Sequence, residues 1–547
     1  TPVVSSAASD VYKRQFVRRR QINRPLRLIS HYQFCSVKLI HSQPHKPNQP
    51  EAIELDPEKY QNKKSLLTGL FMALIITMMP IGGMVSADEG ATANDGHGPI
   101  NLAIILHMHQ PYYKNIETGF YELPWVRVHG SHEYIDSPGI LGMYPGTNIT
   151  YNIVPSLIEQ LEEYSLPSTM DLHLQLARSN WVTDSMGFAT GYPTDLSEWE
   201  LSQMMFEYFR IQPWVYDVDS SHPDLGWMAP SSESYGDLKG GLDGSDPAFV
   251  RSYVPVPGDS RSPKSGMIFH PQHLLDVTVL FHLFQNSGPL VRGEYDYLLT
   301  NDAISTEMQS IFEKKAPYTI HDLDTVLDYQ SQQMLNVMPL YSNLANTSQV
   351  ELTTTPKYHP IMPLLAMPGW TYEDGIPVDK TSWMGDVDDQ ISEGLDLFQQ
   401  STGIRPTGMW PSEQAVSQMV VPPMISNGIQ WAVSDKQVLS QSVKVGGGYP
   451  SQASTMDITK PWIVQSGQEE LMMVFRETGL SDRISFTYGD MSVEDAVADF
   501  ISEVVERRQE VINSGGNPQD HLLTVAADGE NWLFMSGFGN TDNGRAF

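Results

Sequence analysis

Clusters of carboxylate, histidine, tryptophan and arginine side chains follow directly after short apolar runs in this sequence, and together they could act on a sugar. A pyranose offers an apolar C–H face to an aromatic ring and a rim of hydroxyl groups to charged donors and acceptors. Cleaving its acetal bond requires two carboxyl groups in different roles. Any one cluster alone could instead be a helix cap or a turn. The clusters contain His107, His109 and Gln110, then His359, Asp435 and Arg476, and finally Asp528, Glu530 and Trp532.

The sequence lacks the motifs of several other reaction classes. It has no G-x-S-x-G motif, no Walker phosphate loop and no dinucleotide-binding glycine pattern followed by an acidic residue. Its only cysteine, Cys35, excludes a disulfide framework and thiolate zinc sites. The formal net charge of −31 disfavours nucleic acid and anionic membranes as partners, and it suits a neutral substrate or bound cations.

Five apolar runs directly precede the polar clusters and are predicted to be buried strands. They cover residues 101–106, 351–355, 430–433, 470–475 and 522–527, with helical patterns between them. The C-terminal ends of parallel strands converge on one face of an α/β barrel, where active sites are built. The sequence therefore predicts a parallel barrel with the polar clusters at one mouth. A loop-rich insertion at about 181–266 interrupts it.

Two helical segments carry apolar residues along one face, and both faces are predicted to belong to the core. Ser492 and Asp495 form a capping-box pattern at the start of one of them. The stripe that follows this cap contains Val493, Ala496, Val497, Phe500, Ile501 and Val504, and the other contains Leu323, Val326, Leu327, Met334, Val337 and Met338.

Four motifs occur in order along the chain, and with their flanks they resemble glycoside hydrolase family 57, the family of α-amylases, amylopullulanases and glucanotransferases. The resemblance covers roughly residues 98–547. The flanks ELPWVRVH at 122–129 and YNIVPSL at 151–157 look like the amylopullulanase-type members. The motifs are HMHQPY at 107–112, ELTTTP with HPIMPL between 351 and 364, GMWPSE at 408–413 and DGENW at 528–532.

The resemblance implies an α/β fold, namely an incomplete seven-stranded (β/α) barrel with helical and loop insertions and a helical region after it. Because the chain stops a few residues after the fourth motif, we expect that region to be largely absent and the protein to be C-terminally truncated. The resemblance also implies a retaining mechanism, with Glu413 as nucleophile and Asp528 as general acid/base. A retaining pair needs carboxyl groups about 5–5.5 Å apart and environments that push their pKa values apart.

The implied substrate is an α-glucan polysaccharide or oligosaccharide, such as starch or pullulan. Its α-1,4 bonds would be cleaved, and α-1,6 bonds are a further candidate. Two alternatives stay open: a 4-α-glucanotransferase or branching enzyme of the same family, and a non-catalytic glycan-binding relative. No cofactor is expected to be required. The acidic clusters at 217–219 and 386–389 could hold structural calcium, although such runs are more often solvated surface.

Three histidines and a glutamine are predicted to bind the sugar near the cleaved bond. His107, His109 and His359 are expected to hydrogen-bond sugar hydroxyls, with Gln110 beside them. A histidine metal site is the alternative for the same residues. Because the family is not known for metal catalysis, no metal ligand is expected.

Five further residues are predicted to line the substrate cleft. Trp410 and Trp532 are candidate stacking platforms for the sugar, and barrel packing is the alternative for both. Glu530 and Arg476 are expected to orient the two carboxylates or tune their charge. Asp435 is either a substrate-binding residue or a helix cap.

The first 98 residues look separate from the fold. Residues 1–62 contain no methionine and no sustained apolar period, and they are predicted to be a non-native or disordered leader. Lys63, Lys64, the apolar run 66–79 and the small residues before Ala87 are typical of a signal peptide at 63–87. We therefore expect a secreted, extracellular protein with a flexible linker at 88–98 and a catalytic barrel at 99–547. An uncleaved signal would instead anchor it in a membrane.

Overall fold

Seven parallel strands close into a barrel at the centre of the computed structural model. The structure describes residues 38–39, 96–197, 200–201, 271–286, 306–314, 317–367, 382–444, 454–488 and 491–530. The strands are β1 (Lys38–Leu39), β2 (Asn101–Met108), β3 (Ile149–Ile153), β4 (Val182–Thr183), β5 (Ala189–Gly191), β6 (Val350–Thr354), β7 (Gly408–Met409), β8 (Trp431–Asp435), β9 (Val443–Lys444), β10 (Trp462–Ser466), β11 (Glu469–Arg476) and β12 (Leu522–Asp528).

The order of strands around the barrel is β12, β2, β3, β6, β7, β8 and β11, and all these neighbours are parallel. Closure comes from a parallel pairing of β11 with β12, in which Arg476 lies opposite Thr524. β10 pairs antiparallel with the first part of β11. The predicted seven-stranded (β/α) barrel is therefore confirmed, with one strand fewer than the eight of the common α/β barrel.

Helices connect most of the barrel strands and cover its outer surface. They are α1 (Trp125–Gly130), α2 (Glu133–Gly142), α3 (Pro155–Tyr164), α4 (Leu172–Ala177), α5 (Pro271–Phe284), α6 (Thr306–Glu313), α7 (Ile320–Asn346), α8 (Met362–Ala366), α9 (Met384–Thr402), α10 (Val421–Ser426), α11 (Lys436–Ser440), α12 (Thr455–Ile458), α13 (Thr478–Phe486) and α14 (Val493–Asn513). Single 3₁₀ turns lie at Ser412–Gln414 and Pro518–Asp520.

Five of the seven barrel strands begin within one residue of the predicted apolar runs, and four of these five continue past the runs at their C-terminal ends. The remaining two, β3 and β7, were not predicted as strands. β2 extends to Met108 because His107 and Met108 pair with Asn152 and Ile153 of β3. β12 includes Asp528 in the same way, opposite His107. The polar motif residues at the barrel mouth therefore belong to regular, hydrogen-bonded strands and not to loops.

The two predicted apolar helix stripes differ in how completely they are buried. The stripe on α7 is fully buried, as predicted. The stripe on α14 is only partly core: Ala496 is buried, whereas Val497 is 49% and Ile501 48% exposed. The prediction for those two residues was wrong, because α14 contacts the barrel through a narrower face than its apolar stripe. Its predicted cap is confirmed at Ser492, whose hydroxyl accepts from the backbone N–H of Asp495. The Asp495 carboxylate accepts from the Ser492 hydroxyl over 2.9 Å, so only the first half of the predicted capping box is formed.

Apolar side chains fill the interior of the barrel below its mouth. Residues from different strands meet there in one cluster, as in other parallel barrels. At the N-terminal end of the barrel, the indole N–H of Trp431 donates to the Glu351 carboxylate over 3.0 Å. Because the interior is packed, a substrate can reach polar groups only at the mouth. The cluster consists of Ile105, Trp410, Trp431, Val433, Val474 and Ala526.

Several predicted features lie outside the described residues. They are the signal peptide at 63–87, most of the linker at 88–98, most of the insertion at 181–266 and the acidic cluster at 217–219. Of the predicted leader, only Lys38 and Leu39 are described, as strand β1 beside β9 and β10. Within the part of the chain that the structure describes, no helix is long and apolar enough to cross a membrane.

Candidate active site

A pocket of about 370 Å³ opens at the C-terminal mouth of the barrel, where the predicted polar clusters converge. Its lining includes both predicted catalytic carboxylates, Glu413 and Asp528. Residues from the ends of β2, β7, β8, β11 and β12 contribute, as expected for the active face of a parallel barrel. The other predicted site residues in the lining are His107, His109, Trp410, Asp435, Arg476 and Glu530.

Glu413 is presented to the pocket by a strained turn. It lies in the 3₁₀ turn after β7 with φ of 55°, and Gln414 follows with φ of 56°. Left-handed backbone at non-glycine residues costs on the order of 1–3 kcal/mol each and persists where the surroundings over-determine it. Here the Ser434 hydroxyl of β8 donates to the Gln414 carbonyl over 2.6 Å. The turn therefore holds the Glu413 side chain, which is 48% exposed, at the mouth.

Asp528 is the last residue of β12 and lies beside His107 in the parallel ladder. The following N–H, that of Gly529, donates to the His107 carbonyl over 2.8 Å and fixes the chain at this point. Burial raises the pKa of Glu413, and the negative charge of Asp528 raises it further. The two carboxylates therefore interact electrostatically, as a catalytic pair must.

His107 is held rigidly between a hydrogen bond and an aromatic ring. Its Nδ1 lies 2.6 Å from Asn152 Oδ1, and the Asn152 amide in turn donates to the Thr353 hydroxyl over 3.1 Å. The imidazole stacks on Trp410 with ring centroids 4.6 Å apart and an interplanar angle of 9°. Trp410 is thus packed against a histidine on one side and lines the pocket as well.

His109 and His359 complete a group of three imidazoles with His107. Their rings stack with centroids 4.0 Å apart, and His359 lies 5.2 Å from His107. His359 Nδ1 is 3.9 Å from Glu413 Oε1, so the three histidines lie next to the turn that contains Glu413. Burial lowers the pKa of all three, that of His109 to about 3, so the rings are neutral hydrogen-bonding groups near pH 7.

Glu530 and Gln110 lie deeper than the other predicted residues. Burial and the charges of Asp528 and Glu133 raise the pKa of Glu530 well above its usual range, which favours the protonated form of this carboxyl. Its Oε2 has no hydrogen-bond partner within the described ranges. Gln110 is buried, and its side-chain oxygen accepts from the Tyr113 hydroxyl over 3.0 Å. Gln110 is not in the pocket lining, whereas Glu530 contributes to it.

Asp435 and Arg476 stand together at the ends of β8 and β11. Asp435 caps α11 by accepting from the Gln437 N–H over 2.8 Å, so the cap interpretation of this residue is confirmed. Its carboxylate also lies 3.8 Å from Arg476 Nε and lines the pocket. Arg476 forms a closer ion pair with Asp482 of α13.

Sequence reasoning missed two residues that organise the site, and one predicted residue falls outside the described ranges. Asn152, which orients His107, lies in the segment YNIVPSL at 151–157. Its position near the end of a strand was the signal from which its role could have been predicted. Asp482 had no such signal, since it becomes the partner of Arg476 only through the packing of α13. Trp532 is not described. In the second acidic cluster, Asp386, Asp388 and Asp389 are exposed on α9.

The barrel and its carboxylate-lined mouth define an α/β-barrel enzyme of the glycosidase type. The profile of glycosyl hydrolase family 57 matches residues 103–543, so this chain belongs to that family. The resemblance of the four motifs is thereby confirmed.

Comparison with curated proteins gave no match. Among solved structures, the GH57 branching enzyme from Thermococcus kodakaraensis is 14% identical, with a TM-score of 0.39, over 82% of this chain and 66% of that one. The α-amylase AmyC from Thermotoga maritima is 11% identical, with a TM-score of 0.41, over 82% and 71%. The 4-α-glucanotransferase from Thermococcus litoralis is 16% identical, with a TM-score of 0.27, over 40% and 29%. The chain thus spans about two thirds of the length of the first two.

Proposed function

We propose that this protein is a retaining glycoside hydrolase that cleaves α-1,4 bonds of α-glucans such as starch and pullulan. The observation that carries the proposal is the pair Glu413 and Asp528, which line one pocket and interact through charge. Two carboxyl groups on one sugar-sized pocket are the requirement of glycoside cleavage. Cleavage of α-1,6 bonds by the same site is a further part of this proposal. No cofactor enters this reaction, and calcium would serve only stability.

In this mechanism Glu413 attacks the anomeric carbon while Asp528 gives its proton to the departing glycosidic oxygen. A covalent glycosyl-enzyme forms on Glu413, and the ionised Asp528 then takes a proton from water as the water attacks. His107, His109 and His359 supply neutral donors and acceptors to the hydroxyls of the sugar. A second sugar in place of water would give transfer, which is the reaction of a glucanotransferase or branching enzyme.

The test is reducing-sugar release from soluble starch and pullulan by the wild type and three carboxylate variants. We expect Glu413→Gln and Asp528→Asn to lower kcat by about 10³-fold or more, because each removes a group that acts in the transition state. Asp396→Asn, which changes an exposed carboxylate on α9, should leave kcat unchanged. Equal release by the wild type and Glu413→Gln would overturn the nucleophile assignment.

α-Glucosyl fluoride separates the two roles, because its leaving group needs no proton. Asp528→Asn should still form the glycosyl-enzyme from this substrate, whereas Glu413→Gln should not. Proton NMR of the first product should show the α anomer, as retention requires, and a β product would exclude the retaining mechanism. Maltooligosaccharide products longer than the substrate would identify a transferase, and no turnover by any protein would favour a glycan-binding role.

A further inference from the structure

The three histidines at the barrel mouth form a group with the geometry of a metal site. One ligand nitrogen from each of His107, His109 and His359 lies within 4.8 Å of the other two. Zinc–nitrogen bonds of about 2.0–2.1 Å in a tetrahedral site place the nitrogens about 3.4 Å apart. The imidazoles of His109 and His359 would therefore need to turn out of their stacked arrangement and move by little more than an ångström, while His107 stays in place.

His359 has a buried nitrogen that the protein itself leaves unsatisfied. Its side chain is only 6% exposed, and Nε2 has no hydrogen-bond partner among the residues that the structure describes. A buried polar atom without a partner costs about 1–3 kcal/mol, so an ion, a water or a substrate hydroxyl at this nitrogen would be favoured. The other ring nitrogen, Nδ1, faces Glu413 at 3.9 Å.

His107 carries the supporting hydrogen bond that metal-binding histidines usually have. With Nδ1 bonded to Asn152 Oδ1 at 2.6 Å, the ring donates from Nδ1 and keeps its lone pair on Nε2. Such a partner fixes the tautomer and the ring orientation, and removing it typically weakens metal binding 10–100-fold. The stacking of His107 on Trp410 holds the ring in the same orientation.

We propose that His107, His109 and His359 bind a divalent transition-metal ion, with Zn²⁺ as the best fit. Three imidazoles suit zinc, nickel and copper rather than calcium or magnesium, which take oxygen ligands. Three protein ligands leave a fourth position, which here would face the pocket that Glu413 lines. This site is distinct from the calcium sites considered for the acidic surface clusters.

The cation would occupy the space in which the sugar is proposed to bind. Because the same imidazoles cannot hold zinc and donate to sugar hydroxyls together, the ion should compete with the glucan. This competition rests on the proposed function, whereas metal binding itself does not. Zinc would thus act as a reversible inhibitor at the cleavage site.

Metal binding is tested first, without any measurement of activity. The full chain is freed of metal with EDTA and titrated with ZnCl₂ by calorimetry, and Co²⁺ is added separately as a visible-absorption probe. We expect one tight equivalent of Zn²⁺ and intense Co²⁺ absorption bands typical of four- or five-coordinate nitrogen ligation. Absence of a tight equivalent would overturn the proposal.

Variants then locate the ion. His359→Ala and His359→Gln should each weaken Zn²⁺ binding at least 100-fold, and Asn152→Ala should weaken it about 10–100-fold. The glutamine variant keeps the size and polarity of the side chain, so it guards against a folding defect in the alanine variant. His321→Ala removes an exposed histidine on α7 and should bind zinc like the wild type. Unchanged affinity in both His359 variants would overturn the assignment.

Competition is tested last, by maltooligosaccharide hydrolysis at increasing Zn²⁺ concentration. We expect the apparent KM to rise while kcat stays constant, and EDTA to reverse the effect. Activation by zinc, or inhibition of kcat alone, would contradict competition. If the protein binds zinc tightly but hydrolyses no glucan, the metal site stands and the proposed function fails, so the two results can be told apart.

Discussion

At the scale of single residues, the environment of Glu413 bears most directly on the chemistry. Burial and the charge of Asp528 both raise its pKa, which favours the protonated form. A nucleophile must be ionised, so the raised pKa moves the acid limit of activity to a higher pH than an ordinary glutamate would set.

The pH dependence with α-glucosyl fluoride should reveal this interaction, because the reaction then needs only an ionised Glu413. As the pH falls through the raised pKa of Glu413, kcat/KM of the wild type should fall. Asp528→Asn removes a negative charge, so the pKa of Glu413 should decrease. The acid limb of the pH profile, in which kcat/KM falls with decreasing pH, should then move to lower pH. The limb should not return fully to that of a free glutamate, because burial is the larger cause of the shift.

Asp482→Asn is the matched control for this measurement, since Asp482 lines the same pocket but pairs with Arg476. Its acid limb should coincide with that of the wild type. A limb that stays in place in Asp528→Asn, or moves to higher pH, would show that the charge of Asp528 does not reach Glu413.

At the scale of elements, left-handed backbone at non-glycine residues occurs in two turns beside the pocket and at one ordinary helix end. His359, Glu413 and Gln414 have φ between 55° and 56° and lie in the loops after β6 and β7, beside the pocket. Ser348 has φ of 64° and lies between α7 and β6, at the opposite end of β6 from the loop that contains His359. There the N–H of Gln349 bonds to Leu344 O and that of Ser348 to Ala345 O, which is a Schellman motif with serine where glycine is usual.

Ser348→Gly should therefore stabilise the protein. Glycine adopts left-handed backbone without the steric cost that a Cβ imposes, and Ser348 is exposed, so little packing is lost. We expect the free energy of unfolding, measured by urea denaturation, to rise by about 0.5–1 kcal/mol with activity unchanged.

The neighbouring position supplies the control for this prediction. Thr347 has φ of −86°, so Thr347→Gly relieves no left-handed strain; it brings the entropic cost of glycine and removes the hydrogen bond from the Thr347 hydroxyl to Leu344 O, and it should destabilise. A gain in both variants, or a loss in Ser348→Gly, would contradict the explanation based on backbone strain.

At the scale of the whole molecule, charge and the segment before the barrel support export. The net charge of −31 keeps a protein soluble and suits a neutral polysaccharide outside the cell. Hydrolysis of an external polymer supplies sugar, which agrees with a secreted enzyme. We therefore propose an extracellular location and a signal peptide cleaved after Ala87.

Secretion by a bacterial host should release a protein whose first residue is Asp88, as determined by N-terminal sequencing and intact mass. Ala87→Lys should block this cleavage, because signal peptidases require a small residue before the cut. Ala91→Lys changes a residue beyond the site and should be processed normally. Retention of the uncleaved wild-type chain in the host membrane would support an anchor and exclude the secreted form.

The sequence by itself determined the class of fold and the family, and it supplied the pair of carboxylates proposed to be catalytic. Apolar runs mark five of the seven barrel strands to within one or two residues, because burial in a parallel barrel demands continuous apolar segments. The order of the motifs indicated the family before any contact was known. Glu413 and Asp528 could be proposed as the catalytic pair because their motifs are local strings of residues.

Only the tertiary structure decided which side chains meet. Asn152 and His107 are 45 positions apart and become partners because β3 lies beside β2. The exposure of Val497 and Ile501 also could not be predicted from the sequence. Hydrophobic periodicity identifies an apolar helix face but does not show how much of that face a neighbouring element covers. Partners distant in sequence depend on strand order and helix packing. These properties arise from the whole chain, and no local pattern contains them.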